Sequence, residues 1–131
     1  MEQQTRFSSI TREQEAWGAN FLVDGKIVRL DFMDITHIEQ SAAITAIYTR
    51  TKKHRTEYPI IEILNRLPDE QFMRINRTCI VGLSHVDRIE NYQVFVGRYR
   101  LQVNYFYRSR LLELLEKVEP KPIVQITKYN T

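Results

Sequence analysis

Apolar positions in this chain first recur at helical spacing and then, for most of its length, alternate. Phe7, Ile10 and Trp17 fall on one helical face, Thr11 and Gln14 form a capping box, and Gly18 is a stop signal. Together they predict a short helix over about 11–17 that packs Trp17 onto the body. "FLVDGKIVRLDF" then reads as two strands turning on Asp24-Gly25. "DITHIEQ" is a further strand, and "AITAIYTRT" another, with Ile44, Ala46 and Tyr48 on one face. "EYPIIEILNRLP" predicts a short inserted helix, opened by Pro59, striped by Ile60, Ile61 and Leu64, and stopped by Pro68. Phe72 to Ile89 is mostly extended, with a break at Gly82–His85. "YQVFVGRYRLQV" forms a hairpin on Gly97, with Val94, Val96, Tyr99, Leu101 and Val103 on one side and Arg98, Arg100 and Gln102 on the other. "YFYRSRLLELLEKV" is the clearest helix, burying Leu111, Leu112, Leu114, Leu115 and Val118 before Pro120 and Pro122 end it. The tail "IVQITKY" suits an edge strand. The strands do not alternate with helices, which excludes a doubly wound parallel sheet. The expected class is mainly β: an antiparallel sheet with a short inserted helix and a C-terminal helix.

At 131 residues the chain is expected to form one domain, large enough to bury a core without metal or disulfide staples. Cys79 is its one cysteine, so no intramolecular disulfide can form. With no signal-peptide pattern and no apolar run long enough to span a bilayer, the expected location is the cytoplasm.

Charge sharpens the picture. The net charge is only +3, but residues 41–131 carry 15 of the 19 Lys/Arg and nine of the 16 Asp/Glu. "RTKKHR" (50–55) contains four fixed positive charges and no acid, and residues 91–112 contain four arginines and no acid. Clustered positive charge without acidic neighbours is what a polyanion binder shows, and also what an ordinary solvated basic face shows.

Catalytic and metal chemistry find little purchase. His37, His54 and His85 have no metal-ligand spacing, and His54 and His85 read as surface residues. Cys79 lies in an apolar strand, where a thiol packs as a small hydrophobe. The four glycines make no phosphate loop. No enzyme activity, cofactor, metal or small-molecule substrate is expected.

Within "FMRINRTCIVGLSHVDRIE" two arginines and an asparagine open an otherwise apolar strand. Ile35-Thr36-His37-Ile38-Glu39, Ile60–Pro68, Phe72–Leu83 and Gly97–Arg108 follow in order. This ordered set resembles the LytTR DNA-binding domain of bacterial transcription regulators, over about residues 21–118. Residues 1–20 would then be an N-terminal extension, either of a stand-alone regulator or as a linker remnant, and 119–131 a tail. The chain is too short for the receiver module such regulators usually carry, so no phosphorylation switch in cis is expected. It departs from the family pattern at Asn76 (usually His), Thr78 (Ser), Gly82 (Asn) and Asn104-Tyr105 (commonly Ser-Arg).

The resemblance implies an elongated fold that reads double-stranded DNA from loops at strand ends, bends it, and binds paired repeats, with a homodimer on tandem repeats as one arrangement. It places Asn76, Arg77, Ala43 and Asn104 against bases. Arg74, Arg50, Lys52, Lys53, Arg55, Tyr105 and Arg108 are expected on the DNA backbone. Tyr105 could instead pack on the sheet, and Asn104 could serve only as a helix cap. A second reading is a domain of this fold that has lost DNA binding and modulates a membrane or regulatory protein partner.

Overall fold

The computed structural model describes residues 17–118. The helix expected over 11–17 and the edge strand expected in the tail lie outside the described residues, apart from Trp17. That side chain is 72% exposed, not packed on the body as expected.

Among the described residues, ten strands form three antiparallel sheets. The first is the hairpin of β1 (Gly18–Val23) and β2 (Lys26–Asp31). It turns on Asp24 at φ 49 and Gly25 at φ 77, two successive left-handed residues that match strand twist in a two-residue turn. The Asp24 N–H donates to the Arg55 carbonyl and fastens the hairpin to the next sheet. Gly18 lies in β1, where a Cβ would collide with the Leu30 carbonyl oxygen.

The second sheet has the order β5-β4-β3-β7-β6, from β3 (Ile35–Ser41), β4 (Ile44–Thr49), β5 (Lys53–Thr56), β6 (Phe72–Asn76) and β7 (Cys79–Gly82). The short helix α1 (Ile60–Leu64) joins β5 to β6. The third sheet joins β8 (Arg88–Glu90), β9 (Gln93–Val96) and β10 (Tyr99–Gln102), and helix α2 (Tyr105–Glu116) follows.

The five-stranded sheet is covered on both faces. Phe21, Val23 and Leu30 of the hairpin and Ile60, Ile63 and Leu67 from α1 and the turn after it pack with Ile38, Ile47 and Ile80. On the other side Ile75, Cys79 and Val81 pack with Val94, Val96 and Leu101 of the third sheet and Leu111 of α2. Cys79 and Val81 thus serve one core while Ile80, between them, serves the other. A strand covered on both sides loses polar alternation, which is why "CIVG" is apolar throughout.

Several expected faces are rotated. In β4, Thr45, Ala46 and Ile47 are all buried because both faces of the sheet are covered, and Ile44 is 40% exposed. Thr45 can be buried because its hydroxyl donates to the Tyr58 carbonyl at 2.7 Å. In α1 the inward residues are Ile60 and Ile63, and Ile61 is exposed. In α2 the stripe is Tyr107, Leu111, Leu114, Leu115 and Val118; Leu112, one position round from Leu111, is exposed. His54 is buried in β5 rather than on the surface.

His37 is fully buried among rings. It stacks on Tyr48 at 4.2 Å and 9°, and Tyr99 tilts against both. Its Nδ1 bonds the Thr36 hydroxyl at 3.0 Å, and its Nε2 finds no partner. Burial, aided by the nearby His85, holds the imidazole at about 4, down from 6.5. The folded protein therefore keeps His37 neutral where the unfolded chain would protonate it. That preference costs nothing above pH 6.5 and grows as pH falls toward 4, where it should reach about 3 kcal/mol. Urea unfolding at stepped pH should show this loss, and His37→Phe, which keeps a stacked ring but cannot titrate, should remove most of it.

Candidate nucleic-acid interface

Three chain segments meet at one edge, at the ends of β3, β6 and β10. The β6–β7 turn lies in the middle. β6 carries an irregularity between Arg74 and Asn76, and Arg77-Thr78 make the turn. The Asn76 side chain organises it: Oδ1 accepts from the Thr78 N–H at 2.7 Å and from the Thr78 hydroxyl at 3.1 Å, and Nδ2 donates to the Gln102 carbonyl at 2.6 Å. Arg74 adds a clamp, donating from Nε to the Asn76 carbonyl and from its terminal nitrogen to that of Arg77.

On one flank the β3–β4 turn is tied in by the Gln40 N–H, which donates to the Thr78 carbonyl at 2.9 Å. Its tip is Ala42-Ala43, both exposed, with Ala42 at φ 55. A left-handed alanine is strained by roughly 1 kcal/mol, held here by the strands on either side. On the other flank the Asn104 N–H donates to the Ile75 carbonyl at 2.7 Å. Asn104 is the N-cap of α2, its Oδ1 accepting from the Phe106 N–H at 2.9 Å.

The expected site residues separate on this frame. Ala43, Arg74, Asn76, Arg77, Asn104 and Tyr105 are brought to the one edge. Arg77 is exposed, and its guanidinium has no partner among the described residues. By contrast, Asn76 spends both ends of its amide, Arg74 its Nε and one terminal nitrogen, and Asn104 its Oδ1 on the protein itself. Arg108 is also engaged: its Nε donates to the Asn91 carbonyl and its guanidinium lies over Tyr92, 5.3 Å from the ring centre. Its expected place on the DNA backbone competes with that internal seat. Tyr105 does not pack on the sheet; it is 73% exposed.

Arg50, Lys52 and Lys53 lie elsewhere. They belong to the β4–β5 connection, at the far end of β4 from Ala43, and five strand steps of about 3.3 Å put some 16 Å between the two ends. Arg50 is not without an acidic partner, as its sequence neighbourhood suggested, because Asp34 reaches it at 2.7 Å. Lys53 stands over the Tyr48 ring. Arg55, exposed in β5, is paired in register with Ala46 midway along β4.

Gln102, Tyr92 and Phe106 are parts of the edge that sequence reading passed over. Gln102 acts through its carbonyl, which leaves no mark in the sequence. Phe106 did leave one: Arg110 and Glu113 follow it at i+4 and i+7, so it lies on the charged face of α2.

Cys79 offers no chemistry at this edge. It is buried, and burial beside Glu39 pushes the thiol up to about 12, so it stays protonated. The departure at Gly82 has a steric reason, since a Cβ would sit 2.8 Å from the Ile35 carbonyl oxygen.

Residues 25–116 match the LytTr DNA-binding domain family. A curated relative, the sensory transduction protein LytR of Staphylococcus epidermidis, is 29% identical over 89 residues, covering 68% of this chain and 34% of the relative. The chain thus spans about a third of that relative's length. Among solved structures, a LytTr DNA-binding domain from Bacillus cereus superposes with a TM-score of 0.64 at 19% identity, covering 75% of this chain and 95% of that one. The likeness extends to the fold: mainly β, with antiparallel sheets.

If Asn76 is chiefly the brace of its turn, Asn76→Ala should lower stability by about 1–2 kcal/mol, for three bonds at a partly exposed site. Urea midpoints read this without DNA. A neutral result would mean that the brace is dispensable.

Proposed function

The chain belongs to the LytTr DNA-binding domain family, and from that premise we propose that it is a sequence-specific, DNA-binding transcription regulator acting in the cytoplasm. The reading is carried by one observation: three loop segments are hydrogen-bonded into a single edge whose central turn presents an unpartnered arginine, Arg77. An arginine held this way suits bidentate hydrogen bonding to a guanine edge, a contact worth about 1–3 kcal/mol of discrimination. Asn76 and Arg74 serve recognition indirectly, by fixing the turn that aims Arg77. The Ala42-Ala43 tip has no long side chain, which favours close approach of a sugar-phosphate strand or a thymine methyl. Asn104 contributes the capped start of α2, where the free N–H groups of the first turn suit a phosphate.

Bending of the duplex and occupancy of paired repeats by two copies belong to the same proposal. Both are what the family likeness implies, and a row of loops that must touch bases at several points is compatible with a deformed duplex. The basic turn at 50–53 lies outside this contact surface.

Two variants test the assignment on a duplex selected by the wild-type protein from a random pool. Arg77→Ala should lose most of the preference for the selected duplex over a scrambled one, and its salt slope should fall by about one unit. Equal loss on both duplexes would reduce Arg77 to a generic charge. The double variant Lys52→Ala/Lys53→Ala should keep the wild-type slope; a slope flattened by about two units would bring the far turn onto the DNA.

A further inference from the structure

The first turn of α2 carries the most exposed phenylalanine or tyrosine side chains among the described residues. Phe106 is 84% exposed and Tyr105 73%, and Tyr92 of the β8–β9 turn is 41% exposed beside them. They form one ridge: the Tyr92 and Tyr105 ring centres are 6.4 Å apart, and those of Tyr105 and Phe106 are 5.8 Å apart and nearly perpendicular. We propose that this ridge, with Phe106 at its tip, is an apolar wedge that enters the DNA and stacks against a partly opened base step. The proposal rests on the DNA-binding reading of this edge and assigns a role that hydrogen-bonding and charged residues cannot fill.

The ridge is mounted rigidly. Asn104 caps the turn through the Phe106 N–H, and its own N–H is held by the Ile75 carbonyl. The Val103 N–H donates to the Tyr92 carbonyl, which ties the second support to the first. Arg108 bonds the Asn91 carbonyl and backs the Tyr92 ring. One turn and a half further on, fully buried Leu111 anchors the helix in the core. A backbone so held presents its side chains from a fixed position, which lowers the entropic cost of contact.

Phenylalanine has no polar group, so a phosphate cannot be its partner. Its partner must offer an apolar face, and a base is such a face. Charge selects DNA over an apolar protein surface. Arg77 lies across the Asn76–Gln102 bond, and Arg108 and Arg110 follow the ridge on α2, Arg110 with one carboxylate, Glu113, beside it at 3.1 Å. Apolar side chains driven between base steps unstack them and kink the duplex. Tyr105 stands where an arginine is common in the resembled pattern, so the chain has exchanged a charged contact for an aromatic one.

The test uses the full chain and the selected duplex, with 2-aminopurine placed in turn at successive steps. Wild-type protein should raise the fluorescence at one step, as unstacking does. Phe106→Ala should abolish that rise and weaken binding roughly ten- to hundredfold, as removing a base-stacking ring does. It should do so with an unchanged thermal midpoint and an unchanged salt slope, since neither core nor charge is touched. Phe106→Trp should retain both signals. Unaltered affinity and fluorescence in Phe106→Ala, with wild-type binding intact, would overturn the wedge and leave the DNA reading standing. So would an effect seen only as loss of self-association in sedimentation without DNA, which would make the ridge a contact between copies. Failure of the wild-type protein to bind a mixed-sequence duplex at low salt would overturn the reading and the wedge together.

Discussion

The edge of this molecule depends on the side-chain amide of Asn76. A two-residue turn between β6 and β7 would otherwise be free to swing, since Arg77 and Thr78 are both exposed. One amide prevents this by facing two ways. Its oxygen closes the turn on Thr78, and its nitrogen reaches across to Gln102 in a different sheet. The five-stranded and three-stranded sheets are thereby joined where the candidate contact residues emerge. A side chain with a donor at one end and an acceptor at the other is required, and asparagine is the shortest that supplies both. The arrangement also explains why Arg77 is the residue left over. Arg74, three positions earlier, is turned back onto the carbonyls of Asn76 and Arg77 and cannot project outward in the same pose.

Rigidity at the edge needs rigidity behind it, and the two-sided sheet supplies that. Ile80 and Val81 are neighbours in sequence, yet each is fully buried in a different core. Shifting β7 by one residue would exchange the two sets, so its register is strongly specified. Ile75 in β6 belongs to the same second core, and its carbonyl receives the Asn104 N–H. The strand that carries the turn and the helix that carries the aromatic ridge are thus locked together by one buried residue. Unlike the candidate contact residues, Ile75, Ile80 and Val81 have no polar side chain to offer.

Much of the fold was legible because its signals are local. Asp24-Gly25 and Gly97 mark turns by backbone preference alone, and the inserted helix is bracketed by Pro59 and Pro68. Which face of an element turns inward was less legible, because that depends on distant partners. Thr45 reads as outward-facing until the Tyr58 carbonyl, 13 residues away, accepts its hydroxyl. Ile44 reads as buried, yet as the first residue of β4 it is 40% exposed because it lines an open groove with Leu22 and Tyr58. His54 reads as solvated because its neighbours are charged, although strand alternation turns it under the hairpin while Lys53 and Arg55 stay out. The same limit applied to the basic residues. Proximity in sequence suggested one phosphate-binding set, but β4 separates Arg50, Lys52 and Lys53 from Arg77 by its whole length, and Asp34, 16 residues from Arg50, occupies it.

The proposed edge therefore combines two kinds of contact with different physical dependence. Arg77 offers a charge-assisted hydrogen bond, which also releases counterions and so weakens as salt rises. Tyr105 and Phe106 offer area, which salt scarcely affects. Where the pattern this chain resembles commonly places an arginine, a tyrosine trades long-range attraction for short-range fit. Such an exchange slows electrostatic steering but makes the final complex more dependent on whether the DNA can be deformed to admit a ring. Steps that unstack easily, pyrimidine followed by purine, would then be favoured beside the Arg77 contact even where no hydrogen bond reads them. Sequence preference at this edge would arise partly from duplex stiffness, with the aromatic ridge as the part of the protein that senses it.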